Sequence, residues 1–213
     1  MAIAKTLIRP VYQHGLAAVI TLLRHLRGDH QGLIQVNPRW ITHTVNLNDR
    51  TLKRNDMWHF GTVTGGDWDC DGMPVQEYGH VYQILKKRVL EGMRFGDIPE
   101  VQANLKRIEQ GERPDVCSSK EEYRAKYQNF EKLYQLIKRE GYQTQKELKS
   151  TRPLNEIRAQ ISREGNMLFE EGMHRLCITQ LLELERVPVS ITRCHQMWYD
   201  KTGSRLPRQM QDG

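Results

Sequence analysis

Two stretches of this chain concentrate side chains that do chemistry. The first, Gly65-Gly66-Asp67-Trp68-Asp69-Cys70-Asp71-Gly72, sets three carboxylates at alternate positions and closes on a glycine. This is the opening half of an EF-hand calcium loop, in which positions 1, 3 and 5 supply carboxylates and a glycine at position 6 allows the sharp turn. The second half departs from that pattern. With Asp67 as the first position, Tyr78 stands where a bidentate glutamate is required, Glu77 falls one residue short, and Pro74 replaces the usual aliphatic residue. The residues ahead of the loop read as a strand and turn, where an EF-hand needs a helix. The aspartates are also ordinary turn formers beside Gly65, Gly66 and Gly72.

The second stretch is Phe169-Glu170-Glu171-Gly172-Met173-His174-Arg175-Leu176. A strand ends in acids, Gly172 permits close backbone approach, and a helix begins near Met173. Such a turn presents unpaired N–H groups and the positive end of a helix dipole, so it suits a phosphate. Arg175 adds a planar donor fork, His174 donates to an oxygen or shuttles a proton, and Glu171 accepts a proton or holds a metal ion. The same spacing also fits an ion pair between Glu171 and Arg175 at a helix end, with His174 capping the turn.

The elements that must position these residues follow from periodicity. Residues 33–47 mix β-branched and aromatic side chains with Pro38, which predicts a strand or two at a domain edge. Val81, Leu85 and Val89 recur at helical spacing, Pro99 and Gly111 bracket a second helix, and Ser118 with Glu121 has the spacing of a capping box before a third. Tyr123, Tyr127, Phe130, Tyr134 and Ile137 form that helix's apolar stripe, read as core and not as a base-stacking platform. It ends on Lys138, Arg139 and Gly141. After residue 155 the period falls to two: Ile157, Ala159 and Ile161 share a face, a turn follows, and short strands flank the Gly172 turn and its helix.

Composition sets the outer bounds. The 213 residues suffice for one well-cored domain with a helical insertion; 38% hydrophobic and 27% charged residues describe an ordinary soluble chain. The net charge of +6 suits a polyanion, although Lys and Arg are interspersed with acids. Cys70, Cys117, Cys177 and Cys194 form no C-x-x-C pair, so reduced thiols in the cytoplasm are expected. Residues 15–28 hold an apolar run shorter than the ~20 residues of a membrane span, and read as an amphipathic helix carrying Leu16, Ile20 and Leu23.

Residues 154–192 resemble the core of the ParB/sulfiredoxin-like superfamily. Its acid-Gly-x-His-Arg turn stands here as Glu171 to Arg175, and its Ile-Pro-Val-x-Val strand as Val187-Pro188-Val189-Ser190-Ile191. Gly61 to Asp69 and the segment Arg193-Cys194-His195-Gln196-Met197-Trp198 resemble a subgroup with a GGDWD element and an Arg-His-x-x-Trp end, here interrupted by Cys194. Met173 occupies the sulfiredoxin cysteine position, which removes peroxiredoxin repair, and the helix-turn-helix region of partitioning proteins is missing.

The resemblance and the periodicity together imply an α+β fold, a mixed-sheet core over residues 33–200 with a helical insertion at 78–150; the amphipathic pattern adds an N-terminal helix region at 1–32, and composition a disordered tail at 201–213. The resemblance implies ATP, ADP or CTP bound at Gly172, Met173, His174 and Arg175, with Glu171, His174 and Asp67 catalytic. Asp67 and Asp69 would hold Mg2+ against the phosphates, Trp68 would pack the loop or stack on a base, and Asp71 would serve the turn. The expected function is nucleotide-dependent phosphoryl transfer, to a small hydroxyl compound, or nucleotide hydrolysis. A nuclease or nucleic-acid binder, and an interaction module with a degenerate site, are the alternatives.

Overall fold

The computed structural model describes residues 32–46, 62–150 and 155–207. The amphipathic helix expected at the N-terminus lies outside these residues. The chain forms two compact units. Of the described residues, one comprises 32–46, 62–75, 143–150, 155–172 and 185–207; the other comprises 76–142 and 173–184.

The first unit is built on a mixed sheet. Its strands are β1 (Ile34–Val36), β2 (Ile41–Thr44), β3 (Thr62–Thr64), β4 (Ile157–Ile161), β5 (Met167–Glu171) and β6 (Val187–His195). The order is β1-β6-β4-β5-β2, with β3 also on β6. Strands β4 and β3 run parallel to β6, β1 antiparallel to it; β5 is antiparallel to β4 and parallel to β2. Pro38 separates β1 from β2 through a 3-10 turn, whose Arg39 N–H donates to Asn37 Oδ1. The apolar alternation predicted for β4 holds, but the opposite face is buried too. Arg158 and Gln160 there meet Glu170, which also accepts from Thr192.

The β4–β5 hairpin closes at Ser162 to Asn166, where Gly165 takes φ +85° and a Cβ would press into the Trp198 ring. Strand β6 runs on through Cys194 into α5 (Gln196–Thr202), capped by His195. Of the tail expected to be disordered from residue 201, residues 201–207 are described and are structured: Thr202 and Ser204 trade hydrogen bonds, and Leu206 is 2% exposed in the core.

The second unit is helical: α1 (Val81–Val89), α2 (Pro99–Glu109), α3 (Lys120–Glu140) and α4 (Met173–Leu181). The helical insertion thus stops at residue 142 and recruits α4. Residues 143–150 belong to the sheet unit, where Gln145 N–H donates to Glu156 Oε1. Helix α3 is entered one residue later than the predicted capping box: Ser119 Oγ accepts from Glu122 N–H while Glu122 Oε2 accepts from Ser118 N–H. Tyr123, Tyr127, Tyr134 and Ile137 are buried, so the tyrosine stripe is core as expected. Helix α4 packs on α1 and α3. The class is α+β, and no helix among the described residues is long and apolar enough to cross a membrane.

Candidate functional site

The GGDWDCDG loop sits beside β2, tied by Thr44 N–H to Met73 O and by Asn46 N–H to Trp68 O. Gly72 has no room for a side chain, since a Cβ would meet Thr44 O, and Asp71 takes φ +59° as the turn residue expected. Trp68 is 1% exposed and packs with Val45 and Leu168, beneath the Arg193 guanidinium at 5.2 Å. It fixes the loop and offers no face to a base.

Both aspartates of the expected metal pair are held by Arg163 from the β4–β5 turn. Asp69 Oδ2 accepts from the Arg163 backbone N–H at 2.7 Å, and both Asp69 oxygens accept from its guanidinium. Asp67 Oδ1 accepts from the same guanidinium at 2.9 Å. Burial alone would raise the Asp69 carboxyl, but the hydrogen bonds from Arg163 outweigh it and hold it below the usual carboxylate range. His195 completes the clasp: its Nδ1 accepts from Met197 N–H and its Nε2 donates to Gly66 O at 2.9 Å.

Mg2+ needs carboxylate oxygens with free lone pairs and a site short of positive charge. Here a guanidinium occupies the place expected of the ion, so Asp67 and Asp69 do not fit a metal pair. Among the described residues, no group of three or more His, Cys, Asp or Glu side chains is gathered to hold one. The loop is a clasp between β2 and the β4–β5 hairpin.

The Gly172 turn divides between the units. On the sheet side, Gly172 takes φ +95°, and a Cβ would lie 2.9 Å from Glu156 O and Ile157 Cα, so glycine is required by the backbone of β4 itself. Glu171 pairs with Arg158, the partner that takes up the carboxylate expected to act as base.

On the helical side, α4 opens at Met173 with no acidic residue in its first turn. The His174 ring lies 3.9 Å from the Phe130 ring, and its Nε2 is shut off from water without a hydrogen-bond partner among the described residues. Burial, with Lys126 adding to it, pushes the His174 imidazole down to about 4, so it is neutral at pH 7. A proton shuttle working near neutrality is therefore replaced by a neutral ring with an unused polar nitrogen.

Three residues that sequence reasoning passed over gather in this unit. Asp115 accepts from His80 Nε2 at 3.1 Å and binds Lys126 Nζ at 2.8 Å, which holds its carboxyl at about 2 against burial that would raise it. The backbone is left-handed at both Asp115, φ +53°, and Val116, φ +66°; a β-branched residue there is strained, and Val116 is 78% exposed. Lys126, His80, Asp115 and Arg175 all bear electrostatically on His174. The signal was available: Lys126 falls between Tyr123 and Phe130 on the apolar face of α3, where a lysine is out of place.

No family model, curated protein or solved structure matches this chain.

Proposed function

We propose that the chain is a ParB/sulfiredoxin-like protein that binds the phosphates of a nucleotide, ATP, ADP or CTP, at the start of α4. One observation carries this reading: the buried, unpartnered Nε2 of His174 beside the unneutralised N-terminus of a nine-residue helix, with Lys126 and Arg175 as neighbouring cations. A neutral imidazole with an unused N–H is a donor to a phosphate oxygen, and the first-turn N–H groups of α4 add to it. Asp115 positions Lys126 and His80.

Binding is better supported than transfer to a hydroxyl acceptor. The carboxylates expected as bases, Glu171 and Asp67, are each paired with an arginine. The setting we infer is the cytoplasm, in keeping with four unpaired cysteines.

Calorimetry and thermal unfolding with ATP, ADP and CTP, each with and without Mg2+, test the reading. A ligand at a hundredfold excess over its Kd should stabilise the fold by about 2.7 kcal/mol. Met173→Asp places a carboxylate in the first turn of α4, which the dipole tolerates and a phosphate does not. It should leave the fold intact and weaken nucleotide at least tenfold. Absence of any shift at millimolar nucleotide, or unchanged affinity in Met173→Asp, overturns the reading.

A further inference from the structure

The helical unit also carries an open cleft of about 560 Å3 that the nucleotide reading does not use. That volume is in the range of sites for small organic ligands, roughly 300–1,000 Å3. Phe95, Val101, Leu105, Tyr123 and Tyr127, all nearly buried, form its floor, and charged and amide side chains line the rest. The rings of Phe95 and Tyr127 are 5.3 Å apart and those of Tyr123 and Tyr127 4.9 Å apart, tilted in both pairs, so the rings pack on one another, Tyr123 is fully covered, and only small parts of Phe95 and Tyr127 reach the cleft. The Tyr123 hydroxyl accepts from Asn104 Nδ2 and donates to Tyr127 Oη; the Tyr127 hydroxyl proton has no acceptor among the described residues.

The charges at the cleft differ in how they are used. Arg88 is locked in a two-bond fork to Glu131, at 2.7 and 2.6 Å, and is neutralised in place. Arg124 faces Glu121 only at 4.0 Å. Arg94 is exposed and has no ion-pair partner among the described residues. Three arginines against one glutamate disfavour a cationic ligand and leave Arg94 as the fork for an anion.

We infer that this cleft is a binding site for a small apolar molecule carrying one anionic group, its apolar part against the accessible edges of Phe95, Leu105 and Tyr127 and its anion on Arg94. The site shares no side chain with the one at α4.

The probe is 1-anilinonaphthalene-8-sulfonate, an aromatic anion, set against N-phenyl-1-naphthylamine, its neutral counterpart without the sulfonate. Fluorescence titration of the folded protein should give saturable one-to-one binding of the sulfonate, and at least tenfold weaker binding of the neutral amine. Arg94→Ala should weaken the sulfonate about tenfold and leave the amine unchanged. Val101→Trp fills the cleft and should remove both; Gln128→Trp, at an exposed lining position of α3, obstructs it where the buried variant fails to fold. Saturating ATP should leave the sulfonate titration unchanged, whether or not ATP binds elsewhere. The inference is overturned if the sulfonate does not saturate, if both probes bind alike and ignore Arg94→Ala, if binding survives Gln128→Trp, or if ATP displaces the probe competitively.

Discussion

His174 ties its own ionisation to the stability of the fold. Its imidazole is held at about 4 against an ordinary 6.5, so the folded chain resists a proton that the unfolded chain accepts. Stability is therefore complete above pH 6.5 and falls as pH drops from 6.5 to 4, by up to about 3 kcal/mol from this residue. Urea unfolding across that window should show the slope, and His174→Gln should flatten it. Bound phosphate, by favouring the imidazolium, should flatten it as well. Asp69 has the opposite sign: its carboxyl is depressed, so its contribution is present above its ordinary range and lost in acid. Asp69→Asn should cost about 3 kcal/mol, because it leaves the Arg163 guanidinium without its buried counter-charge. Asp67, with a side chain 85% exposed, should lie within about 0.5 kcal/mol of wild type as Asn. Equal losses for the two would contradict the clasp. The adjacency of Gly172, His174 and Arg175 was legible, because neighbours in sequence there are neighbours in space. It was not legible at Asp69, whose partner Arg163 lies 94 residues away. A carboxylate pair looks the same in sequence whether it awaits a metal or an arginine.

At the level of elements, local signals were read well wherever the chain needs no distant partner. Pro99 opens α2 and Gly141 ends α3 at φ +74°, both as their chemistry dictates. The α3 cap slipped from Ser118 to Ser119 because two consecutive serines offer two boxes, and only the backbone geometry chooses. Ser119→Ala should lower the stability of α3 by about 1 kcal/mol, and Ser118→Ala, whose contribution is a backbone N–H, should be nearly silent. Denaturant midpoints decide it. Gly172→Ala should cost more than about 2 kcal/mol, with or without nucleotide, since the added Cβ meets the backbone of Glu156 and Ile157. What stayed hidden was burial on the second face of β4. Arg158 and Gln160 are polar in sequence, and only the Glu170 opposite them shows that they belong inside.

For the whole molecule, the α+β class and an inserted helical region were legible in the change of period along the chain; the recruitment of α4 into the helical unit was not. That unit is discontinuous, so residues 76–142 alone lack the helix on which α1 and α3 pack. A fragment of those residues should keep helical circular dichroism yet melt without a cooperative transition, and a sharp melt would show that α4 is dispensable. The sheet has a different dependence on chain order. Strand β6 receives β1 along Val187–Val189, β3 along Arg193–His195, and β4 on its other edge. Its neighbours β1 and β3 are made early on the ribosome and must remain without it until the stretch from Val187 onward has emerged. Local helices can form during synthesis while these strand edges stay open, which gives the nascent chain a long interval of vulnerability to wrong pairing and a sheet that closes only at the end.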